Sequence, residues 1–129
     1  MEKNENKISF DIRGCAFKIH TALGPGLLES VYEAALSYEL VKLGYQVKNQ
    51  TGIPMLYENI RMDVGFRLDI LVNDLVIVEI KSVEKMTDIY FKQLLTYLKL
   101  SNRKLGIIIN FNSVILKDKE SIFRIVNNL

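Results

Sequence analysis

Three side chains near the middle of this sequence stand where charge is expensive. Glu79 and Lys81 flank Ile80 at the end of an apolar run, Leu75 to Lys81. Alternate residues of an extended segment leave the same face, so Glu79 and Lys81 share one face while Val76, Val78 and Ile80 take the other. A carboxylate at the end of a buried strand is costly unless a cation or hydrogen bonds compensate it. Asp69 lies on the preceding extended segment, and the tight-turn pair Asn73-Asp74 joins the two. Simple hairpin pairing sets residue 69 opposite 78 or 79, which brings the Asp69 and Glu79 carboxylates side by side. Two such groups repel, and a divalent cation relieves the repulsion. The available donors are oxygens, which favours Mg²⁺ or Mn²⁺ over zinc or copper. A hard cation held by one or two carboxylates is the usual setting for phosphate chemistry. The plain alternative is a surface ion pair between Glu79 and Lys81, with Asp69 a solvated strand residue.

The elements that must position these groups follow from periodicity. Ser9 is a plausible N-cap, and Ile12, Cys15, Ala16, Ile19 and Leu23 follow at helical spacing. Residues 1–7 are polar and are expected to fray. Gly24-Pro25-Gly26 stops the first helix, and a second runs from about Leu27 to Leu43. Leu28, Val31, Ala35, Tyr38, Leu40 and Val41 supply its apolar side, and Gly44 ends it. Tyr45 to Tyr57 reads as an extended segment, placed at a sheet edge by Pro54. Glu58-Asn59 turns it into a strand from Ile60 to Val72. There Phe66, Leu68, Ile70 and Val72 are expected to point one way, and Arg67 and Asp69 the other. Leu75 to Lys81 suits a central strand covered on both faces. Thr87 caps a third helix reaching about Leu100, with Ile89, Leu94, Leu95 and Leu98 as core candidates. Leu105 to Phe111 is another buried strand, followed by Val114 to Leu116 and Ile122 to Val126. Helices placed around a mixed sheet make this an α/β or α+β domain.

Composition narrows the class. The chain has 129 residues, 49% hydrophobic and 25% charged, which fits one globular domain with a real core. The apolar content is too high, and the net charge of +2 too small, for a disordered chain. One cysteine forms no internal disulfide, which fits a reducing compartment, and one cysteine with one histidine builds no zinc-finger site. No apolar run approaches a membrane span, and the polar start lacks the core of a signal peptide, so the cytoplasm is the expected location. Residues 1–80 hold 8 Lys/Arg against 11 Asp/Glu, a balance of −3, whereas residues 81–129 hold 9 against 4, a balance of +5. A basic second half suits an anionic polymer, and a solvated basic surface explains it as well.

Asp69, then Glu79-Ile80-Lys81 at a strand end, then a helix, resembles the PD-(D/E)XK nuclease superfamily. Upstream, Gly26-Leu27-Leu28-Glu29-Ser30-Val31-Tyr32 resembles the GxxExxY signature of one small-protein family within it, preceded by His20 and Leu23-Gly24-Pro25. Downstream, Gln93-Leu94-Leu95-Thr96-Tyr97 resembles the QxxxY motif of its exonuclease-like branch, and Leu105-Gly106 through Asn110-Phe111 fits the strand that follows. The likeness covers about residues 8 to 126. Leu68 stands where the superfamily's PD element has proline, a position that is dispensable there, whereas the aspartate is present.

The resemblance implies a restriction-endonuclease-like core, a central mixed β-sheet flanked by helices. It implies Asp69 and Glu79 as metal ligands, with the backbone carbonyl of Ile80, and Lys81 beside the attacking water. Glu29, with Tyr32 and Glu33 at i+3 and i+4, is expected to approach the metal directly or through water. Gln93 and Tyr97 would orient Lys81 or a metal-bound water, or touch the nucleic-acid backbone, and Arg67 would bind a phosphate or pair with a carboxylate. Each has a simpler reading: Glu29 as a helix-dipole partner, Tyr32, Tyr90 and Tyr97 as core aromatics, His20 as a packing histidine, Cys15 as a small buried side chain. Lys85, Lys92, Lys99, Arg103 and Lys104 suit a nucleic-acid surface or a solvated helix face. The function expected is a Mg²⁺- or Mn²⁺-dependent nuclease hydrolysing phosphodiesters of nucleic acid, with DNA the expected polymer, no membrane partner, and a homodimer to enclose a duplex. The alternative is a non-catalytic nucleic-acid-binding or protein-interaction module that keeps the fold.

Overall fold

A computed structural model describes residues 4–129, apart from the side chains of residues 63 and 64. The chain runs α1 (Glu5–Leu23), α2 (Glu29–Lys42), β1 (Val47–Tyr57), β2 (Ile60–Val72), β3 (Val76–Lys81), α3 (Asp88–Ser101), β4 (Leu105–Asn110) and β5 (Ile122–Val126). The five strands form one sheet in chain order, β1-β2-β3-β4-β5. Only β3 and β4 pair in parallel, joined through α3; the other neighbours are antiparallel. This is the mixed, helix-flanked sheet expected from the sequence.

The two faces of the sheet carry separate cores. Ile8, Ile12 and Ile19 of α1 and Tyr32, Leu36 and Leu40 of α2 pack on Ile70, Val72, Val78, Ile80, Ile107 and Ile109. Leu94 and Leu98 of α3 pack on Leu68, Leu71, Ile77 and Ile108 of the other face. β3 is buried on both sides because it is the middle strand and both helical layers cover it. Both tight turns use left-handed backbone, Glu58-Asn59 at φ 52° and 65° and Asn73-Asp74 at φ 51° and 59°; Asn59, Asn73 and Asp74 are of types that tolerate it, whereas Glu58 is not. Pro54 lies at the outer edge strand, at a register shift between Pro54 and Met55, as a residue without an N–H requires.

Several expectations are corrected. α1 is capped by Asn4, whose side chain accepts from Lys7 N at 3.0 Å, and Ser9 is buried within the helix. Residues 5–7 are therefore helical rather than frayed, since Asn caps as well as Ser and Glu5 suits the first turn. Residues 1–3 lie outside the described part. On α2 the buried residues are Tyr32, Leu36 and Leu40, one helical stripe, while Leu28, Val31, Tyr38 and Val41 are exposed. Ile89 of α3 is exposed too, and Leu95 half-buried. Val114 to Leu116 forms no strand, because both edges of β4 are already taken by β3 and β5.

The alternation along β2 also breaks. Phe66 and Leu68 pack with the α3 core, whereas Ile70 and Val72 pack with the α1/α2 core. The change falls at Asp69. There the β2–β3 ladder has ended, its last pair being Ile70 with Val78, and Gln50 on the facing strand sits at φ 48°.

Gly106 of β4 pairs with Ile77 and Ile125 on the α3 face. A Cβ there would lie 2.8 Å from both Leu94 methyl carbons, and Leu94 is buried in the α3 core, so its side chain must shift within that core. Gly106→Ala should therefore destabilise the fold by about 1–3 kcal/mol through overpacking. Urea unfolding checks this; an unchanged midpoint would mean α3 docks more loosely than the structure shows.

Candidate active site

The site lies where β2 and β3 part. Beyond the Ile70–Val78 pair, two carboxylates continue the ladder in place of backbone carbonyls. Asp69 N–H donates to Glu79 Oε2 at 2.9 Å, and Ile80 N–H donates to Asp69 Oδ2 at 2.8 Å. The hairpin arithmetic thus brings the two acids together as expected. Each carboxylate spends one oxygen on the clamp, and the second oxygen of Asp69, Oδ1, is 3.4 Å from Gln50 Nε2.

Glu79 is only 7% exposed. Its carboxyl is pushed up to about 7, first by burial and next by the charge of Asp69; the bond from Asp69 N–H and the charge of Lys81 pull the other way. Glu33 of α2 adds to the rise. Tyr97 of α3 feels the same pair: burial, then the charges of Glu79 and Asp69, raise its hydroxyl above the ordinary tyrosine value. The acids therefore lie between the two helical layers, at the open edge of the β2–β3 junction.

The Lys81 ammonium lies 4.8 Å from the centroid of the Tyr90 ring. Tyr97 stacks on Phe66, centroids 4.3 Å apart. Gln93 sits exposed one turn before Tyr97, and Arg67 is exposed with Nη1 donating to the Gln50 carbonyl at 2.9 Å. Glu29 reaches elsewhere: its Oε2 accepts Ser82 N–H at 3.1 Å, while Ser82 Oγ donates to the Leu27 carbonyl at 2.7 Å. An open cavity of about 430 Å³ is lined by Leu27, Leu28, Glu29, Ser30 and Ser82. Glu29 thus ties the start of α2 to the loop leaving Lys81. Among the described residues no three acidic, histidine or cysteine side chains gather closely enough to share one ion directly; the two acids that meet are Asp69 and Glu79. Ile80 enters the site through its N–H.

Tyr32 is a fully buried core residue. Its hydroxyl donates to the Gly24 carbonyl at 2.7 Å and accepts Leu27 N–H at 3.1 Å, and its ring stacks on Phe111. His20 Nε2 lies 2.7 Å from the Ser113 carbonyl, a packing role. Sequence reasoning missed Gln50 and Asn110. Asn110 is buried at the end of β4, in register with Lys81, and holds both the N–H and the carbonyl of Val83. A polar residue closing an apolar strand is the signal that singled out Glu79, and it applies equally to Asn110.

The residues fit a hard divalent cation. Two adjacent oxygen donors, one of them buried, keep the Glu79 carboxyl raised even though the Lys81 ammonium, near the Tyr90 ring, partly offsets their charge. Asp69 and Glu79 would hold such an ion, with water completing its shell. The family model described as the PD-(D/E)XK nuclease superfamily matches residues 6–125. No curated protein and no solved structure matches the chain.

Burial of Glu79 carries a pH signature. Its folded carboxyl titrates near 7, above the ordinary 4.5, so the folded state keeps a proton that the unfolded chain has lost. No penalty exists below about 4.5; it grows as pH rises and is fully present above 7, at about 3 kcal/mol. Cation-free protein should therefore lose stability between pH 5 and 8, and Glu79→Gln should flatten that slope. Urea midpoints across this range in a chelator decide it; an equal slope in Glu79→Gln would assign the titration to another group.

Proposed function

The chain belongs to the PD-(D/E)XK nuclease superfamily, and from that premise we propose that it is a divalent-cation-dependent nuclease cutting phosphodiester bonds of DNA. The observation that carries the reading is the reciprocal bonding of Asp69 and Glu79 at the parting of β2 and β3, with Lys81 two residues further along the same strand. Within the superfamily we place the chain in the GxxExxY family, on Gly26, Glu29 and Tyr32.

Asp69 and Glu79 would hold Mg²⁺ or Mn²⁺, which would supply Lewis-acid chemistry for the scissile phosphate. Glu79 and Asp69 hold their orientation through backbone N–H groups, so their outer oxygens are pre-placed. Lys81 brings a positive charge on a four-carbon stem, able to leave the Tyr90 face and offset the charge that builds on the phosphate. Arg67, exposed at the same edge, binds a neighbouring phosphate. Tyr97, which feels the charges of Glu79 and Asp69, and Gln93, exposed one turn before it on α3, orient the substrate backbone. Glu29 acts through the loop it holds, fixing Ser82 and so the end of β3.

Single-stranded, duplex and branched DNA, and RNA, incubated with Mg²⁺, Mn²⁺ or EDTA, test this reading. Cleavage should need the cation, favour DNA, and fall about a hundredfold or more in Asp69→Asn and Lys81→Ala, as when a group stabilising developing charge is removed. Cleavage that survives in both variants would sink the site assignment. Binding without cleavage under every metal condition would instead make the protein a binding module.

A further inference from the structure

Asn49 and Gln50 are consecutive residues of β1, and consecutive side chains of a regular strand point to opposite faces. Here both reach the same carboxylate. Asn49 Nδ2 donates to Glu33 Oε2 at 3.0 Å, and Gln50 Nε2 donates to Glu33 Oε1 at 2.8 Å. The left-handed backbone at Gln50, φ 48°, makes this possible. A non-glycine residue in that conformation carries strain that surrounding contacts must sustain. The contacts are present: Arg67 Nη1 holds the Gln50 carbonyl at 2.9 Å, and Asn49 Nδ2 also donates to Ser37 Oγ at 2.7 Å. The same Gln50 amide nitrogen lies 3.4 Å from Asp69 Oδ1. It therefore stands between two carboxylates, one on α2 and one at the site, with a hydrogen for each.

We propose that Gln50 is a positioning residue: its amide, anchored on Glu33, fixes the outer oxygen of Asp69 so that the carboxylate keeps both its bond to Ile80 N–H and its approach to a cation. Asp69 has two oxygens to place. Oδ2 is set by Ile80 N–H, and rotation about the carboxylate is stopped only when Oδ1 is held too. Glu33 thereby takes part without touching substrate. It orients the amide that orients Asp69, and Arg67 keeps the kink that aims that amide. The cation-binding part of this inference rests on the nuclease reading; the orientation of Asp69 does not.

The test uses the full chain with Gln50→Gly, Gln50→Glu and Gln50→Asn. Glycine relieves the backbone strain and removes the amide. Glutamate keeps the shape but sets a third carboxyl between Glu33 and Asp69, replacing the amide donor with a group that repels both when ionised. Asparagine tolerates left-handed φ and keeps a shorter amide. In cation-free protein the Ile80 amide proton reports Asp69 directly. It should move upfield and exchange about tenfold faster in the glycine and glutamate variants, the loss of roughly one hydrogen bond, with partial recovery in asparagine. Mn²⁺ affinity by calorimetry and kcat on DNA should fall with the same ranking, while KM for DNA holds. An Ile80 amide signal unchanged in both Gln50→Gly and Gln50→Glu overturns the proposal, whatever the activity. A parent chain that neither binds Mn²⁺ nor cuts nucleic acid overturns the nuclease reading instead, and the amide signal still decides the role of Gln50.

Discussion

Two hydrogen bonds that each replace a rung of the sheet hold this structure's organisation together. Where β2 and β3 part, Asp69 and Glu79 each offer a side-chain oxygen to the other strand's backbone N–H. Sheet cohesion and acid placement are therefore the same bonds. The arrangement sets two demands against each other. Closing the ladder draws Glu79 into the interior, and burial opposes its charge. A cation held by the pair, as proposed, would reconcile them by removing the repulsion while leaving both backbone bonds in place. The surrounding groups make sense in that light: Lys81 on Tyr90, Tyr97 on Phe66, and the Glu33–Gln50 bridge all border the pair without completing its charge balance.

The loops around the site converge for a topological reason. β3 and β4 are the parallel pair, so their C-terminal ends, Lys81 and Asn110, emerge side by side. In open sheets of this kind the crevice beyond the carboxyl ends of parallel strands is where ligands bind. Three separate segments meet there. Glu29 and Leu27 hold Ser82, Asn110 holds Val83, and Tyr32 closes the turn at Gly24. In the segment that resembles GxxExxY the tyrosine is buried in the core and the glutamate bonds to the loop that follows Lys81.

Much of this was legible in the residues because the governing physics is local. Asn73-Asp74 and Asn59 announce turns by their tolerance of left-handed backbone, and Pro54 announces an edge by its missing N–H. A short turn fixes register, which is why counting back from Asn73 found Asp69 against Glu79. What escaped is decided by tertiary contacts. The helix α2 is apolar on several sides, and only the anchoring of Tyr32 and Leu36 in the core selects the buried stripe. The reversal of faces at Asp69 and the kink at Gln50 are invisible in a pattern of apolar and polar letters, since neither residue is a glycine and both are polar. Asn4 escaped because Ser9 offered an equally good cap nearer the apolar repeat.

The outer edge of the sheet carries a last consequence. β1 is eleven residues long and faces outward along its whole length, the kind of strand that invites another chain to lengthen the sheet. Gln50 turns left-handed, and Pro54 with its register shift follows, so the regular stretch between them is only residues 51–53. At the opposite edge β5 offers five residues, with Arg124 in their middle. Neither rim supplies a straight template for cross-chain β-pairing. The kink that grips Glu33 thus also breaks the outer edge into short stretches, a poorer template for pairing with another chain.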